Sequence, residues 1–386
     1  MFDYIVVGAG YAGSVTARRM AEEAGKTVLL IDKRNHIAGN MYDEYDENGI
    51  LVHRYGPHIS VMNETRVYEF LSRFTEWQPY HHHVKAEIDG VEVPLPINYT
   101  AIDLLFPIKQ ALDLKERLTK QYGFGSNVPV LEMLENTDEV VREFAQYVFD
   151  KVFLHYTMKM WGLRPEEINP AVTGRIPIRL SYDDRHFLHT YQVMPKDGFT
   201  KLFQNMLNHP NITVRLNTSS DDVLRLDEKN HQIYFENKLF EGTLVYTGAL
   251  DELFGFDYGA LPYRSLFFKF ETFNKDYVQD STVLNWPDDR PATRRTEMKR
   301  LTGQRKEGIT STIVEYPDAF DRCSDKFSEP LYPIDREDCI KLYRRYLERT
   351  KTFPKLILAG RLADYKYYNM EAVISRSLAV TDLLLR

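Results

Sequence analysis

The residues best suited to chemistry stand at the start of the chain. Gly8, Gly10 and Gly13 have the spacing G-x-G-x-x-G and follow an apolar run that ends at Val7. In this motif the first glycine makes a tight turn, the second admits a pyrophosphate close to the backbone, and the third lets helix and strand pack together. The helix that follows offers unpaired N–H groups and its positive dipole end to phosphate. The spacing therefore predicts a dinucleotide site.

Asp32 strengthens this prediction. It follows a second apolar run, Thr27 to Ile31, at the position where a carboxylate binds the hydroxyl groups of the adenosine ribose. A glycine motif alone is weak evidence, because a glycine-rich surface turn can match it. Here strand, glycines, helix, strand and acid occur in order, which favours the dinucleotide interpretation.

Two later segments indicate which dinucleotide it is. One predicted strand ends at Thr247-Gly248, and another ends at Gly360 before a C-terminal amphipathic helix. A cofactor domain built from both ends of a chain is typical of flavoproteins, whereas simple nicotinamide dehydrogenases have a contiguous one. The sequence therefore favours FAD over NAD. The polar loop after Asp32 is expected to lie over the cofactor, and it holds Lys33, Gly39, Asn40, Tyr55, Gly56, Pro57 and His58.

A set of arginines gives the second chemical signal. Arg175, Arg179, Arg264, Arg294 and Arg361 each lie near a turn or strand end, beside Tyr, Gly or Pro. Any one of them could be a solvated surface charge, but an anionic substrate needs the planar fork of a guanidinium group. The sequence has no nucleophilic triad motif, H-E-x-x-H or paired cysteine set. We therefore expect a cofactor to do the chemistry while the protein positions the substrate.

His81, His82 and His83 could suggest a metal site. Neighbouring residues on a strand point to opposite faces, so these rings cannot chelate one ion together. The sequence therefore predicts no metal, and one of these histidines facing a ligand fits the pattern better.

Length and composition limit the remaining classes. A chain of 386 residues is expected to form two or three domains. The net charge of −7 argues against a nucleic-acid partner. The two cysteines form neither a disulfide framework nor a metal set, and no apolar run is long enough to span a membrane. With no signal peptide at its start, the chain is expected to be cytoplasmic and independent of membranes.

The apolar periodicity predicts a mixed α/β fold. Helical spacing covers Asp113–Tyr122 and Asp138–Trp161, and strand-like alternation covers Trp77–Pro94 and Arg175–Met194. Further alternating segments are 263–271, 282–286 and 310–316. The stretch from Tyr156 to Arg175 is interrupted by glycine and proline, and is either a linker or a mobile lid that carries an arginine.

The chain resembles the bacterial UDP-galactopyranose mutases nearly end to end. The matching segments are GAGYAG (8–13), NHIAGN (35–40), YGPHI (55–59), PLPIN (94–98), YTMKMWG (156–162), YTGALDELFG (246–255), YRSL (263–266), PATR (291–294), LYPI (331–334) and GRLADYKYYNM (360–370). The resemblance implies an FAD-dependent isomerase that interconverts UDP-galactopyranose and UDP-galactofuranose, the donor for furanose-bearing surface glycans. It also implies a Rossmann-like FAD domain (1–76, 196–258, 345–386), an inserted helical domain with a mobile lid (99–174) and a twisted antiparallel sheet (77–98, 175–195, 259–344).

The resemblance also implies a mechanism without net redox. Reduced flavin N5 attacks the anomeric carbon and expels UDP, the flavin–sugar adduct opens, and the ring closes through another hydroxyl group. Only reduced FAD is nucleophilic, so an external reductant such as NAD(P)H is expected. Members of the family are often homodimers.

Site residues carry over by position in the matching segments. Arg294 and Arg175 match the arginines that bind the diphosphate, and Tyr332 and Tyr367 match phosphate-binding tyrosines. His58 matches a histidine near the flavin ring. The uridine pocket is implied at Phe153, Tyr156, Thr157 and Trp161, further contacts at Arg264 and Asn285, and cofactor contacts at Arg361 and Met370.

Several residues depart from the family pattern. Val61 replaces a frequent histidine, and Asn369 a frequent aspartate. His186 stands where a tyrosine often contacts the diphosphate, and His82 aligns with an asparagine of the family's pocket. Position 61 lies near the sugar in the family, so Val61 would suit a 6-deoxy hexose such as dTDP-fucopyranose as well as galactose. The other candidates are a flavin oxidoreductase with net redox and a binding module on a flavin fold.

Overall fold

The structure is a computed structural model that describes residues 2–162, 177–324 and 328–386. Its strands are β1 (Tyr4–Val7), β2 (Val28–Ile31), β3 (Asp43–Tyr45), β4 (Leu51–His53), β5 (Ser60–Met62), β6 (Trp77–Pro79), β7 (Val84–Ile88), β8 (Val91–Leu95), β9 (Asn127–Val128), β10 (Ile178–Arg179), β11 (Tyr191–Pro195), β12 (Ile212–Arg215), β13 (Leu224–Asp227), β14 (Gln232–Phe235), β15 (Lys238–Phe240), β16 (Thr243–Tyr246), β17 (Tyr263–Phe273), β18 (Val283–Asn285), β19 (Arg294–Glu297), β20 (Thr310–Ala319), β21 (Tyr332–Pro333) and β22 (Leu356–Leu358).

The helices flank these strands and cover the apolar faces of the sheets. They are α1 (Tyr11–Glu23), α2 (Thr65–Ser72), α3 (Tyr99–Leu105), α4 (Ile108–Tyr122), α5 (Val130–Leu134), α6 (Glu139–Val148), α7 (His155–Trp161), α8 (Phe199–Leu207), α9 (Ser220–Val223), α10 (Leu250–Leu253), α11 (Met298–Thr302), α12 (Glu337–Thr350) and α13 (Met370–Leu384). A 3-10 turn covers Gly39–Met41, and a π-helix covers Phe149–Leu154.

A parallel sheet carries the glycine motif. In the described chain its strand order is β12-β2-β1-β16-β22, and every residue of β1 and β2 is buried. Continuous apolar strands of this kind are expected where both faces of a parallel sheet are covered. Because the strands run in one direction, the residues after their carboxyl ends meet at one edge, which is where open α/β sheets bind ligands. The predicted mixed α/β class with a Rossmann-like sheet is confirmed.

A second sheet faces this edge. Its described strands have the order β21-β17-β20-β19-β18-β7-β8, and all neighbours are antiparallel except β18 and β7. The register of β19 with β20 places Arg294 directly opposite Glu315. The sheet therefore brings a cation and an acid together from positions 21 residues apart in the sequence.

A separate buried core holds the helices α3 to α6 against β7 and β8. The side chain of Asp138 caps α6 by accepting hydrogen bonds from the N–H groups of Val140 and Val141 at 3.0 and 3.4 Å. The helical spacing predicted over 138–161 is confirmed from residue 139 onward, although the chain forms α6, a π-helix and then α7 rather than one regular α-helix. Such π-helical turns often occur at functional sites, and this one carries Phe153.

The strand-like alternation predicted over 175–194 is wrong for residues 180–190, which form no strand. Only β10 and β11 form there within the described residues. Between them the side chain of Asp183 accepts a hydrogen bond from the Arg185 N–H at 3.0 Å, and Arg179 donates to the Asp183 carbonyl at 3.1 Å. Local bonds of this type compete with strand pairing and favour a loop.

The glycine turn generates a testable prediction. A Cβ at Gly13 would lie 1.9 Å from the Gly8 carbonyl oxygen, whereas one at Gly10 would meet only Gly39 Cα, at 3.8 Å. Alanine is otherwise the better helix former by about 1 kcal/mol, so the steric clash decides the sign. We expect Gly13→Ala to lower the free energy of unfolding by about 1–3 kcal/mol in urea titrations. Gly10→Ala is the control and should change it by less than about 1 kcal/mol; equal losses would contradict the packing role of Gly13.

Candidate active site

A large cleft runs from the carboxyl edge of the parallel sheet to the second sheet. Its volume of about 880 Å³ lies near the upper end of ligand pockets. The predicted residues that line it are Gly8, Gly10, Asp32, Lys33, Gly39, Asn40, Pro57, His58, Val61, His82, Phe153, Tyr156, His186, Gly248, Asn285, Arg294, Tyr332, Gly360, Arg361, Tyr367, Asn369 and Met370. The fold therefore gathers residues from nearly the whole length of the chain.

The glycine end of the cleft is organised by Asp32. This buried carboxylate accepts the Ala9 N–H through Oδ2 at 2.7 Å and the Arg34 N–H through Oδ1 at 2.9 Å. Thr247 supports the same turn from β16 by donating its hydroxyl to the Val7 carbonyl at 2.6 Å. A carboxylate has about four acceptor positions, so Asp32 holds the turn and still has capacity for a ligand hydroxyl.

Arg34 was not among the predicted site residues, yet it lines this end. Its Nη2 lies 2.7 Å from Glu329 Oε2, and its guanidinium group stacks over the Tyr55 ring at 4.4 Å. Tyr55 itself does not line the described cleft and instead supports Arg34. The nearby Gly56 lies behind the wall, where a Cβ would meet the Phe268 ring at 3.1 Å. Arg34 stands in the polar loop, but Glu329 is too distant in sequence for any local pattern to connect the two.

Arg294 and Glu315 form the central charged pair. Arg294 Nε lies 2.8 Å from Glu315 Oε1, although neither atom meets hydrogen-bond geometry, and Oε2 has no hydrogen-bond partner among the described residues. Glu315 is fully buried. Burial alone would lower the pKa of Arg294, but the carboxylate outweighs it and the pKa is raised. Arg294 therefore stays charged at the wall of the cleft. Glu315 was not predicted, because the alternating pattern of its strand gives no sign in the sequence that this acid is buried.

Aromatic and cationic side chains surround this pair. The rings of Tyr332 and Tyr367 lie 5.8 Å apart, and the Arg361 guanidinium lies 5.6 Å from the Tyr332 ring centroid. Burial raises the pKa of Tyr332, so its hydroxyl stays protonated and can donate. Asn369 lines the cleft beside Tyr367, but its side-chain oxygen already caps α13 by accepting the Ala372 N–H at 2.8 Å.

The helical wall contains only part of the predicted uridine pocket. Phe153 and Tyr156 line the cleft, whereas Thr157 is buried behind it and Trp161 does not line its described part. Arg264 donates to the carbonyl oxygens of Met160 and Lys159 at 2.8 and 3.1 Å, so it holds the end of α7 rather than lining the cleft. Arg175 lies outside the described residues.

His58 faces the middle of the cleft. Its backbone N–H donates to His53 Nδ1 at 3.2 Å, and its own Nδ1 is buried without a hydrogen-bond partner among the described residues. Burial, His53 and Arg361 lower the pKa of His58 to about 3, so the ring is neutral at physiological pH. No group of His, Cys, Asp and Glu that could hold a metal ion occurs in the described ranges.

Comparison with known proteins identifies the family. Residues 6–74 match the NAD(P)-binding Rossmann-like domain model, which places the chain among the Rossmann-like α/β proteins. Residues 151–367 match the UDP-galactopyranose mutase family model. The UDP-galactopyranose mutase of Mycoplasma pneumoniae is 36% identical over 100% of this chain and 96% of its own length. The chain therefore belongs to the UDP-galactopyranose mutase family, a family of isomerases, and the resemblance seen in the sequence is confirmed.

One relative differs in the sugar that its name gives. The dTDP-fucopyranose mutase of Escherichia coli is 33% identical over 99% of this chain and 98% of its own length. A crystal structure of reduced UDP-galactopyranose mutase aligns with a TM-score of 0.71 over 100% of this chain and 94% of that one, at 16% identity. This last similarity supports the fold. In the described ranges, every helix is too short or too polar to cross a membrane.

The buried neutral histidines predict a pH dependence of stability. Burial lowers the pKa of His58 to about 3 and that of His186 to about 4, from 6.5. Below pH 6.5 these histidines bind protons in the unfolded chain but stay neutral in the native protein, so the free energy of unfolding falls as the pH falls toward 4. Above pH 6.5 these rings do not affect it. We expect each ring to cost about 2 kcal/mol at pH 5, measured by urea unfolding at several pH values.

Two variants separate this effect from general acid unfolding. His58→Phe should flatten the slope of stability between pH 6.5 and 4, and the exposed His81→Gln should leave it unchanged. An equal slope in the wild type and His58→Phe would contradict this account.

Proposed function

We propose that the protein is a reduced-FAD-dependent mutase that interconverts the pyranose and furanose forms of a nucleotide sugar, with UDP-galactose as the first candidate. The observation that carries the proposal is the continuity of the cleft. It leads from the glycine turn and Asp32 to Arg294, Tyr332 and Tyr367 without a break. One end suits a dinucleotide, and the other suits a nucleoside diphosphate.

The residues at the glycine end fit FAD. A Cβ at Gly8 would lie 2.1 Å from Thr247 Oγ1, and Gly10 lines the cleft without a side chain to fill it. The backbone can therefore approach a pyrophosphate, and Asp32 can accept ribose hydroxyl groups. Gly360 and Arg361 extend this wall from β22. When bound and reduced, FAD would supply a nucleophilic nitrogen to the anomeric carbon, so the exchange needs no net oxidation.

The protein would supply the positioning for this exchange. A guanidinium group binds two phosphate oxygens at once, and Arg294 is held at the cleft by a buried carboxylate. The hydroxyl groups of Tyr332 and Tyr367 can donate to the same diphosphate. Together they would stabilise the negative charge that develops as the diphosphate leaves the sugar. We assign Arg175 the same role, as the resemblance implies, and assign the pyrimidine to Phe153 and Tyr156.

The neutral His58 limits what the protein itself can do. With a pKa lowered to about 3, its imidazole cannot act as a cationic acid near neutrality. Its Nδ1 is enclosed by protein atoms, so a ligand group would contact the ring through Nε2 or through its face. We therefore place His58 beside the cofactor ring as an orienting group.

A second substrate is favoured by one observation at the sugar end. Val61 lines the cleft with an apolar side chain, and a relative is named for dTDP-fucopyranose. A dTDP-6-deoxyhexose is therefore the alternative to UDP-galactose. The rival reaction class is a flavin oxidoreductase with net redox, which predicts that turnover consumes an oxidant.

The wider assignments are also proposals. We propose a cytoplasmic homodimer with a FAD domain, a helical domain and a sheet domain at the ranges given above. NAD(P)H or a similar donor would reduce the flavin, and the product would serve the synthesis of surface glycans.

A panel of nucleotide sugars tests the reaction. Dithionite-reduced protein would be incubated with UDP- and dTDP-hexopyranoses and furanoses, and the products resolved by ring size. We expect isobaric ring isomers with reduced protein only. Consumption of oxygen by oxidised protein with an amine or alcohol, and no ring isomer from any sugar, would favour the oxidoreductase.

Arg294→Lys isolates the diphosphate clamp. Removing the charge completely would leave Glu315 buried without a cation, which destabilises proteins strongly. Lysine retains a positive charge but loses the planar fork, so the variant should fold while kcat/KM falls about 100-fold or more. Steady-state kinetics and a thermal melt measure both. The neighbouring Arg295→Lys is the control, because Arg295 does not line the cleft; equal kinetics in both variants would remove Arg294 from the mechanism.

Val61→His tests the choice of sugar. A polar ring at this position should favour a hexose with a 6-hydroxyl over its 6-deoxy analogue, by about 5- to 100-fold in the ratio of kcat/KM values. The measurement compares UDP-galactose with a 6-deoxyhexose carried by the same nucleotide. An unchanged ratio would show that position 61 does not select the sugar.

A further inference from the structure

We propose that His82 and His186 form a neutral wall whose Nε2 atoms only accept hydrogen bonds, and that this wall recognises hydroxyl groups of the hexose rather than the diphosphate. The inference rests on the proposed function and specifies which part of the substrate these residues contact. Both rings line the cleft.

The tautomer of His186 follows from its neighbour. Its Nδ1 lies 3.1 Å from the Leu95 carbonyl oxygen. A carbonyl can only accept, so the proton must be on Nδ1, and in a neutral ring Nε2 then carries a lone pair. No described residue forms a hydrogen bond with Nε2. Because the ring lines the cleft, Nε2 is the nitrogen left to accept a hydrogen bond from a ligand.

His82 is also protonated on Nδ1, because of a different hydrogen-bond partner. Tyr80 donates its hydroxyl proton to Thr282 Oγ1 at 3.0 Å, and the Tyr80 oxygen lies 3.0 Å from His82 Nδ1. Because the single hydroxyl proton is already used, His82 Nδ1 must donate to Tyr80. Its Nε2 is then an acceptor too, and no described residue forms a hydrogen bond with it. The two rings meet edge to face, with centroids 5.7 Å apart.

The surroundings keep both rings uncharged. Burial lowers the pKa of His186 to about 4, with Arg179 and Arg294 acting in the same direction. Burial lowers the pKa of His82 well below 6.5, and His186, Arg294 and His83 add to the effect. A neutral acceptor cannot donate to a phosphate oxygen, and two lone pairs facing an anion would repel it. The ligand group at this wall must therefore be a hydrogen-bond donor.

The neighbours of the wall favour a sugar as this donor. Val61, Val84, Leu95 and Phe187 line the same part of the cleft, and Phe187 stacks on His82 at 5.8 Å. A hexose presents hydroxyl donors alternating with C–H faces, which matches acceptors set among apolar side chains. A diphosphate offers neither.

Position 186 would have a different role in this chain from the diphosphate contact that the resemblance implies. The resemblance places a diphosphate-binding tyrosine there, and a phenol can donate to phosphate. His186 in its Nδ1–H form cannot. In this chain the diphosphate therefore depends on Arg294 and the tyrosines at 332 and 367, and His186 joins the sugar-selecting residues.

The tautomers can be measured directly on the FAD-loaded protein. Nitrogen-15 NMR of histidine-labelled protein at pH 7, with assignment by His82→Phe and His186→Phe, should show both rings neutral and protonated on Nδ1. A proton on Nε2 of either ring, or a charged ring, would overturn the proposal regardless of enzymatic activity.

Ligand binding tests the recognition. By titration calorimetry, His82→Phe and His186→Phe should weaken the binding of UDP-galactose by about 5- to 100-fold relative to free UDP, because a sugar hydroxyl loses its acceptor. His81→Phe is the matched control, since His81 is an exposed neighbour outside the cleft. A loss of affinity for UDP equal to that for UDP-galactose would place these rings at the diphosphate and refute the proposal.

Sugar analogues separate this proposal from the function on which it rests. Galactose hydroxyls replaced one at a time by fluorine, which accepts but cannot donate, should identify at least one position where wild-type binding weakens and His186→Phe binding does not. If ring isomers form normally but no such position exists, the mutase proposal stands and this one fails. If such a position exists but no ring isomer forms, the proposal for the histidine wall stands and the mutase proposal fails.

Discussion

The buried pairing of Arg294 with Glu315 is the constraint on which the rest of the site depends. A carboxylate with no solvent access is costly unless a cation lies beside it, and the register of β19 with β20 supplies that cation across one strand spacing. The pair fixes the guanidinium group at the wall of the cleft. An anionic ligand would then meet a charge that is already in place, so little reorganisation would be needed on binding.

The cleft exists because two sheets present different chemistry to the same space. The parallel sheet contributes glycines and an acid after its strand ends, which suits the backbone-mediated binding of a dinucleotide. The second sheet contributes side chains, including Arg294 at the start of β19 and Tyr332 at the start of β21. A cofactor approached by backbone and a substrate approached by side chains would thus share one pocket, each on the surface that can bind it.

The proposed histidine wall would let a family site change specificity while its fold is kept. The membership of the chain in the mutase family rests on the length of the matching sequence. The protonation state of His82 and His186 is instead set by Tyr80 and Leu95. Tyr80 would act on the substrate only through His82, and the Leu95 side chain, which lines the cleft, is apolar. Selectivity among sugars would therefore depend on hydrogen bonds one layer behind the pocket.

The sequence by itself determined the glycine turn, the acid at position 32 and the α/β class, because these depend on local spacing and apolar periodicity. Most of the site residues that it predicted, from the glycine motif and from segments that match a known family, line the cleft. Only the tertiary structure decided that Arg34 pairs with Glu329, that Arg294 faces Glu315, and that Arg264 holds the end of α7. These contacts join residues far apart in the chain, and no local pattern encodes which distant strands become neighbours.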